Sequence, residues 1–354
     1  MVDARWHLSA IANRSRPAGS AAEAGTRSYC QCILEAAGLE VHHRAFYYSS
    51  VPGRWGTPVA GLFTALLFLT SGHLGAHLHP RAALGLLLAG ALLLGSSAFW
   101  LSRWGVLDLP FGRLRGNNLI ATRGVPELWL VAHLDSKSQP VSILVRALAI
   151  MASIVLWLAG TALAVAQLAG AAPPSLWIPV TILGVLASIP VAASVVGVKS
   201  HGALDDASGV ATILRATELL PRDAPIGVLL TSAEELGLAG ARAWAREVPR
   251  GRAINVDGID DTGALRLIYS RRLPRALLSA LGPAWPAPSR LLPGALMDGV
   301  ALADAGWEVV NVSKGSWRTV SRIHTRRDDL AHLDGSGAEE VAALIAGAVT
   351  AGSR

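Results

Sequence analysis

Charge is scarce in this chain: Lys, Arg, Asp and Glu make up 16% of its 354 residues, against about 25% in an ordinary soluble protein. Cysteine is scarcer still, with only Cys30 and Cys32. They are too close for an ordinary structural disulfide and too few for a secreted disulfide scaffold. A C-x-C pair can bind metal, but this one falls on a helical pattern, where buried or idle thiols are the simpler reading. The residues from Met1 to His7 lack the apolar stretch of a signal peptide, so export of this N-terminus by that route is not expected. No internal repeat or low-complexity tract stands out. The glycine-rich stretches match no phosphate loop, and no Ser-His-Asp order with a nucleophile elbow is visible. Net charge is +6 and pI is near 9.9, yet arginines are scattered and no basic helix carries interleaved aromatics. That excludes a nucleic-acid partner as the first reading and leaves anionic lipid headgroups as the simpler one.

What the chain has instead is apolar sequence, 52% of it, gathered into four long runs. Val59 to Leu78 and Ala82 to Leu101 are joined by a tight loop around His79-Pro80-Arg81. Ala147 to Gly170 and Leu176 to Val198 are joined by Ala171-Ala172-Pro173-Pro174-Ser175. Each is long enough to cross about 30 Å of hydrocarbon. Trp55, Trp100, Trp104 and Trp177 stand at their ends, where an interfacial aromatic belt places them. Too little polar-patterned sequence remains to cover four buried core helices. The reading is an integral, multi-pass membrane protein with a lipid-bilayer partner: hairpins over residues 58–101 and 143–198, and soluble segments 1–57, 102–142 and 199–354.

Because each hairpin goes and returns, all soluble segments are expected on one face. Arg54, Arg103, Arg113, Arg115, Lys137, Arg146 and Lys199 flank the spans on that side, whereas the hairpin loops carry only Arg81. Lys and Arg enrichment marks the cytoplasmic side. His73, His77 and His79 near the first hairpin tip read as interfacial residues with polar ends in water, although three histidines can also hold a metal. Trp157 reads as packing.

The soluble segments alternate in type. Residues 3 to 38 read as two helices broken at Arg16-Pro17-Ala18-Gly19-Ser20, ended by Gly38 and followed by a strand from Leu39 to Tyr48. Asn117 to Thr122, Glu127 to His133, Ile226 to Thr231 and Ala253 to Asp257 read as strands. Ala207 to Leu220, Leu238 to Glu247 and Ala338 to Val349 read as helices. The alternation predicts an α/β domain with a mostly parallel central sheet.

Acidic and histidine residues punctuate this pattern: His133 and Asp135, Asp205 and Asp206, Glu234 and Glu235, Asp257, and His324. They are expected at strand ends, where an open α/β sheet gathers its ligand crevice. Singly, each has a plain structural reading. A lone His is more often a hydrogen-bonded structural residue. Asp205-Asp206 can cap the next helix, the Glu pair can favour a helix N-terminus, and Asp257 can belong to a turn with Gly258. In combination they suit two cations held together, which polarise a carbonyl and activate a shared water. That chemistry also needs a carboxylate free to move the water's proton. Adjacent Glu234 and Glu235 can divide the two tasks. Asp135, two residues beyond His133, can hold the other nitrogen of that ring.

These motifs resemble the di-zinc aminopeptidases, a family that includes glutamate carboxypeptidase and, more distantly, glutaminyl cyclase. The resemblance spans nearly all soluble segments. It rests on Leu8 to Phe46, Asn117-Asn118-Leu119-Ile120-Ala121, Ala132-His133-Leu134-Asp135-Ser136 and, most specifically, Ala203-Leu204-Asp205-Asp206-Ala207-Ser208-Gly209-Val210. Ser232-Ala233-Glu234-Glu235-Leu236-Gly237 follows, with Ala233 where the family usually has Gly. Met297-Asp298 and Ile323-His324-Thr325-Arg326-Arg327-Asp328 complete it.

The resemblance implies a three-layer phosphorylase/hydrolase-like zinc exopeptidase fold and two zinc ions per chain. Asp205 would bridge them, with His133 and Asp257 on one and Glu235 and His324 on the other. Glu234 would be the general base, and Asp135 its catalytic companion. A cis Asp205–Asp206 peptide is implied, with support from Asp206, Asp298 near the substrate and Asp328 beside the His324 loop. The implied activity is release of N-terminal residues from peptides, or dipeptide cleavage. A mono-zinc glutaminyl-cyclase-like acyl transferase and a non-catalytic membrane scaffold are the alternatives, and the oligomeric state is open. The departure is the membrane hairpins. His133 and Asp205 are 72 positions apart, most of them the second hairpin, so the active site is expected near the membrane surface.

Overall fold

The structure, a computed structural model, describes residues 3–292 and 294–352. The chain divides into two compact units. One comprises Met1–Ser49, Leu109–Ser138 and Val198–Arg354, the other Ser50–Asp108 and Gln139–Gly197.

The first unit opens with α1 (Ala4–Ile11) and α2 (Ala21–Ala36). Asp3 and Ser20 cap them by accepting the N–H of Trp6 and Glu23, which satisfies donors that a helix start leaves free. Strands β1 (Glu40–Ser49), β2 (Arg113–Arg123), β3 (Leu128–His133), β4 (Ile226–Thr231), β5 (Arg252–Ile259), β6 (Ala264–Tyr269), β7 (Ser289–Arg290) and β8 (Glu308–Gly315) form one mixed sheet. Their order is β1-β2-β4-β3-β5-β8-β6-β7. The central pairs β4–β3, β3–β5 and β5–β8 are parallel, so their carboxyl ends lie along one edge.

Side-chain alternation along the strands builds two cores. Leu130, Val228, Leu230, Ile254 and Val310 pack in one cluster with Leu8, Leu34, Ile213 and Val341. Val131, Leu229, Ala253 and Val309 pack in the other with Trp244, Leu302 and Trp307. The helices involved include α8 (Ser208–Leu219), α9 (Ala239–Ala245), α11 (Asp298–Asp304) and α13 (Ser336–Gly352). The result is helix, sheet, helix. Between β5 and α13 the chain also forms α10 (Arg275–Leu281) and α12 (Trp317–Arg322). The sequence pattern did not disclose these elements, β6, β7 or β8.

The second unit holds α3 (Val51–Ala76), α4 (Pro80–Trp100), a single turn α5 (Val106–Asp108), α6 (Ile143–Leu168) and α7 (Trp177–Ala192). Four helices here are long and apolar enough to cross a membrane, and at most 33% of the apolar window of any of them is buried. Leu62, Leu66, Leu92, Leu158, Ile182 and Leu186 face outward. An outward apolar surface on this scale needs an apolar solvent or partner.

The fourth helix stops at Ala192 rather than at Val198. Ser194 N–H donates to the Val191 carbonyl at 3.2 Å, and its hydroxyl donates to the Pro190 carbonyl at 2.8 Å. These bonds use carbonyls that a further turn would have needed.

Helices α3 and α7 approach through small residues. A Cβ on Gly61 would lie 2.3 Å from Ala192 N, and one on Gly184 2.4 Å from the Phe68 ring. Polar side chains tie the same bundle: Trp177 Nε1–H donates to Gln167 Oε1, and Gln167 Nε2–H to the Gly75 carbonyl, both at 2.9 Å. Gly61→Leu is therefore expected to lower stability in detergent by about 1–3 kcal/mol through overpacking. Thermal unfolding of the purified protein checks this, and an unchanged midpoint would contradict the close approach.

Candidate metal centre

Parallel strands bring the first ligand candidates together. His133 is the last residue of β3, Asp257 lies near the end of neighbouring β5, and Glu234–Leu236 forms a short turn just beyond β4. The remaining two arrive differently from the expectation that all would follow strands. Asp205 lies in an irregular segment shortly before α8 and is joined to Asp206 by a cis peptide. His324 follows α12 with φ 62°.

All these side chains meet. His133 Nε2 lies 3.0 Å from Asp205 Oδ1, and His324 Nε2 lies 2.9 Å from Asp205 Oδ2. Each oxygen of one carboxylate thus faces a different imidazole. Glu235 Oε1 lies 3.2 Å from His324 Nε2, and Glu234 Oε2 lies 3.9 Å from His133 Nε2. Two groups, His133–Glu234–Asp257 and Asp205–Glu235–His324, each present ligand atoms within 4.8 Å of one another.

The supporting residues act in ways the spacing alone did not show. His133 Nδ1 bonds to the backbone carbonyl of Asp135 at 3.0 Å, while the nearer carboxylate oxygen is 3.8 Å away. That carboxylate is turned elsewhere: it accepts the backbone N–H groups of Glu234 at 3.0 Å and Glu235 at 3.2 Å. Asp135 therefore orients the imidazole through its main chain and the glutamate pair through its side chain. Asp206 accepts from the backbone N–H of His133, Gly209 and Gly258, so it ties β3, α8 and β5 together. Asp328 accepts the Leu204 N–H at 2.5 Å, joining the His324 turn to the segment that carries Asp205. Asp298 accepts from the Thr231 hydroxyl and leaves its Oδ1 buried without a hydrogen-bond partner.

Two basic residues complete the frame. Arg16, fully buried, donates to the carbonyls of Ile11, Leu134, His201 and Gly202. It thereby holds the segments that lead to His133 and Asp205. Gly202 has φ 61°, and a Cβ there would lie 2.5 Å from both Asp205 O and Ser136 Cβ, so only glycine fits. Lys137 Nζ lies 2.5 Å from Glu235 Oε2. No spacing rule marks a lysine two residues past an Asp as a partner for a distant Glu.

Burial opposes charge on His133, yet Glu234, Asp205 and Asp206 outweigh it and hold its pKa well above the usual imidazole value. Burial likewise opposes charge on His324, where Glu235 and Asp205 prevail over Lys137 and raise it. Burial pushes Glu234 well above the ordinary carboxyl range, helped by Glu235, Asp298 and Asp257 against His133. Burial and Asp205 push Asp257 up to about 7, and burial pushes Asp298 up to about 7. Glu235 moves the other way: burial raises it, but His324 and Lys137 together bring it down. Carboxylates crowded this closely need more positive charge than two imidazoles and one ammonium supply. Nitrogen and oxygen donors without sulfur suit zinc and several other divalent ions. The residues fit a pair of divalent cations.

The sequence model of peptidase family M28 matches residues 118–349. The chain belongs to peptidase family M28. No curated protein sequence matches it. Its fold is shared with solved M28-like structures at low identity. A zinc aminopeptidase from Bacillus subtilis is 14% identical over 98% of this chain and 93% of its own, with a TM-score of 0.56. An aminopeptidase from Aneurinibacillus sp. strain AM-1 is 13% identical over 98% and 92%, with a TM-score of 0.53. A glutaminyl cyclase from Porphyromonas gingivalis is 14% identical over 98% and 96%, with a TM-score of 0.54. Peptidase and cyclase folds are thus both neighbours, and the likeness establishes the architecture expected from the motifs.

The family pattern usually has Gly at the position of Ala233. Here Ala233 adopts φ 59° and is fully buried, a left-handed conformation that costs an L-residue about 1–2 kcal/mol. Ala233→Gly is expected to raise stability by roughly 0.5–1 kcal/mol, once the greater freedom of glycine in the unfolded chain offsets part of the relief. Thermal unfolding of the metal-free protein measures it, and a clear loss of stability would contradict the strain.

Proposed function

We propose that this chain is a membrane-embedded zinc exopeptidase that releases N-terminal residues from peptides or cleaves dipeptides. The observation that carries the reading is the placement of Asp205, with one oxygen toward His133 and the other toward His324. A carboxylate so placed is suited to bridge two ions. His133 and Asp257 would complete one position, and Glu235 and His324 the other. When bound, zinc supplies Lewis-acid polarisation of the scissile carbonyl and brings the pKa of a bound water toward 7.

The protein's own work is to position groups and move a proton. Glu234 is buried beside His133, and its backbone N–H is fixed by Asp135. Its carboxylate accepts the proton of the attacking water and returns it to the leaving amine. A carboxyl raised by burial and neighbouring negative charge is a stronger base than one in water, which favours the first transfer at neutral pH. His133 is held in one orientation by the Asp135 carbonyl. Asp298, on α11 at the same strand edge, adds negative charge near Glu234, which suits a site for a substrate ammonium.

The four apolar helices are read as bilayer spans and the catalytic unit as cytoplasmic, on the excess of Lys and Arg beside the spans on its side. The soluble segments 1–57, 102–142 and 199–354 are read as one peptidase domain interrupted by two hairpins. A second reading, mono-zinc acyl transfer of the glutaminyl cyclase kind, is favoured by one observation. Asp205, Glu235 and His324 by themselves form a complete three-donor group.

One experiment separates these readings. The purified protein is assayed for zinc content and on a panel of aminoacyl amides, dipeptides and N-terminal glutaminyl peptides, beside Glu234→Gln. Two zinc ions per chain and peptide hydrolysis are expected. Turnover in the variant should fall by about 10²–10⁴-fold with zinc retained. One zinc with cyclisation of glutaminyl peptides would favour the second reading, and full activity in Glu234→Gln would remove the proposed base.

A further inference from the structure

His324 differs from His133 in how its ring is held. Nδ1 of His133 bonds to the Asp135 carbonyl, whereas Nδ1 of His324 is buried with no hydrogen-bond partner among the described residues. A metal-ligating imidazole ordinarily takes its orientation from a bond at its second nitrogen. Without one, the direction of the His324 ring is set by the backbone that carries it. That backbone is left-handed, with φ 62°, a conformation that an L-residue keeps only where its surroundings hold it.

The hold runs through Arg322, the last residue of α12. Its carbonyl accepts the Thr325 N–H at 3.0 Å and the Thr325 hydroxyl at 2.6 Å, which closes the turn around His324. Its guanidinium donates to the His332 carbonyl at 3.1 Å and to Asp260 Oδ2. The same Asp260 oxygen accepts the Thr319 hydroxyl at 2.5 Å. One buried carboxylate thus grips α12 both in its middle and at its end. With six residues, that helix is too short to keep its place unaided. Asp260 is fixed in turn by the end of β5. The ladder between β5 and β8 shifts register between Val256 and Ile259, where Gly258 has φ 73°, and a bulge re-aims the side chains that follow it. Just beyond, the Asp260 N–H donates to the Lys314 carbonyl at 2.9 Å. The strand that brings Asp257 to the centre therefore also leads, three residues on, to the anchor for the turn of His324.

We propose that Asp260 is a positioning residue for His324: through Arg322 and Thr319 it fixes the turn that aims the imidazole at Asp205 and Glu235. The inference rests on the reading of His324 as a metal ligand.

Zinc affinity of the chelator-stripped full chain in detergent, measured against a competing chelator, tests this. The visible spectrum of the cobalt-substituted chain gives a second readout. Asp260→Asn keeps the shape of the side chain but removes the charge that Arg322 meets. It is expected to weaken zinc binding by about 10–100-fold and to alter the cobalt spectrum, because a displaced imidazole changes the donor set. His324→Ala should also weaken binding, and adding Asp260→Asn to it should change affinity by less than about twofold further. Circular dichroism of each stripped variant checks the fold. Thr319→Val, which removes one donor from the same carboxylate and should shift affinity in the same direction, replaces an Asp260→Asn chain that does not fold. Unchanged affinity and spectrum in Asp260→Asn, or an equal loss with and without His324, would overturn this inference and leave the metal reading standing. A wild type that takes up no zinc, or His324→Ala with wild-type affinity, would overturn the ligand reading and this inference with it.

Discussion

Asp205 stands between two imidazoles, with Glu234, Glu235 and Asp298 buried around it and Asp257 half-buried. Holding that much negative charge out of water is costly unless cations share the space. Much of the surrounding construction serves to keep these groups in register in spite of their repulsion. Asp206 gathers three backbone N–H groups from three elements. Asp135 fixes the glutamate turn. Arg16 directs its guanidinium to four carbonyls rather than to a carboxylate, which clamps the backbone and leaves the acidic groups unneutralised by it.

The sheet explains how residues so far apart in sequence arrive together. Parallel β4, β3 and β5 end on one edge, and each delivers a ligand candidate near or just beyond its end. Asp205 and His324 come from irregular chain, and both need help. The first depends on a left-handed Gly202 packed against Ser136, the second on the Asp328 contact with Leu204. In the other unit, small residues let α3 and α7 approach closely, and apolar side chains cover the outside. A bilayer is the solvent that such a surface fits.

Much of this could be read from the sequence, for identifiable reasons. Long apolar runs and strongly patterned strands such as Ile226–Thr231 announce themselves by period and length. The His-Leu-Asp, Asp-Asp and Glu-Glu motifs announce the chemistry because few other tasks need those residues in that order. Residues 260–316 resisted because their helices are of only seven residues and β7 has two, so no long period builds up there. The main-chain bond from Asp135 to His133 was invisible, since sequence records side chains and not where carbonyls point. The pairing of Lys137 with Glu235 was invisible for a related cause. Its partner Glu235 lies 98 positions away, and only the neighbouring of β3 and β4 brings them together.

Whether Asp205 bridges two cations is decided by zinc-edge anomalous diffraction from crystals of the purified protein. The account predicts two peaks about 3.5–4 Å apart, one beside His133 and Asp257, the other beside Glu235 and His324, with an oxygen of Asp205 toward each. A single peak, or zinc bound away from Asp205, would contradict it.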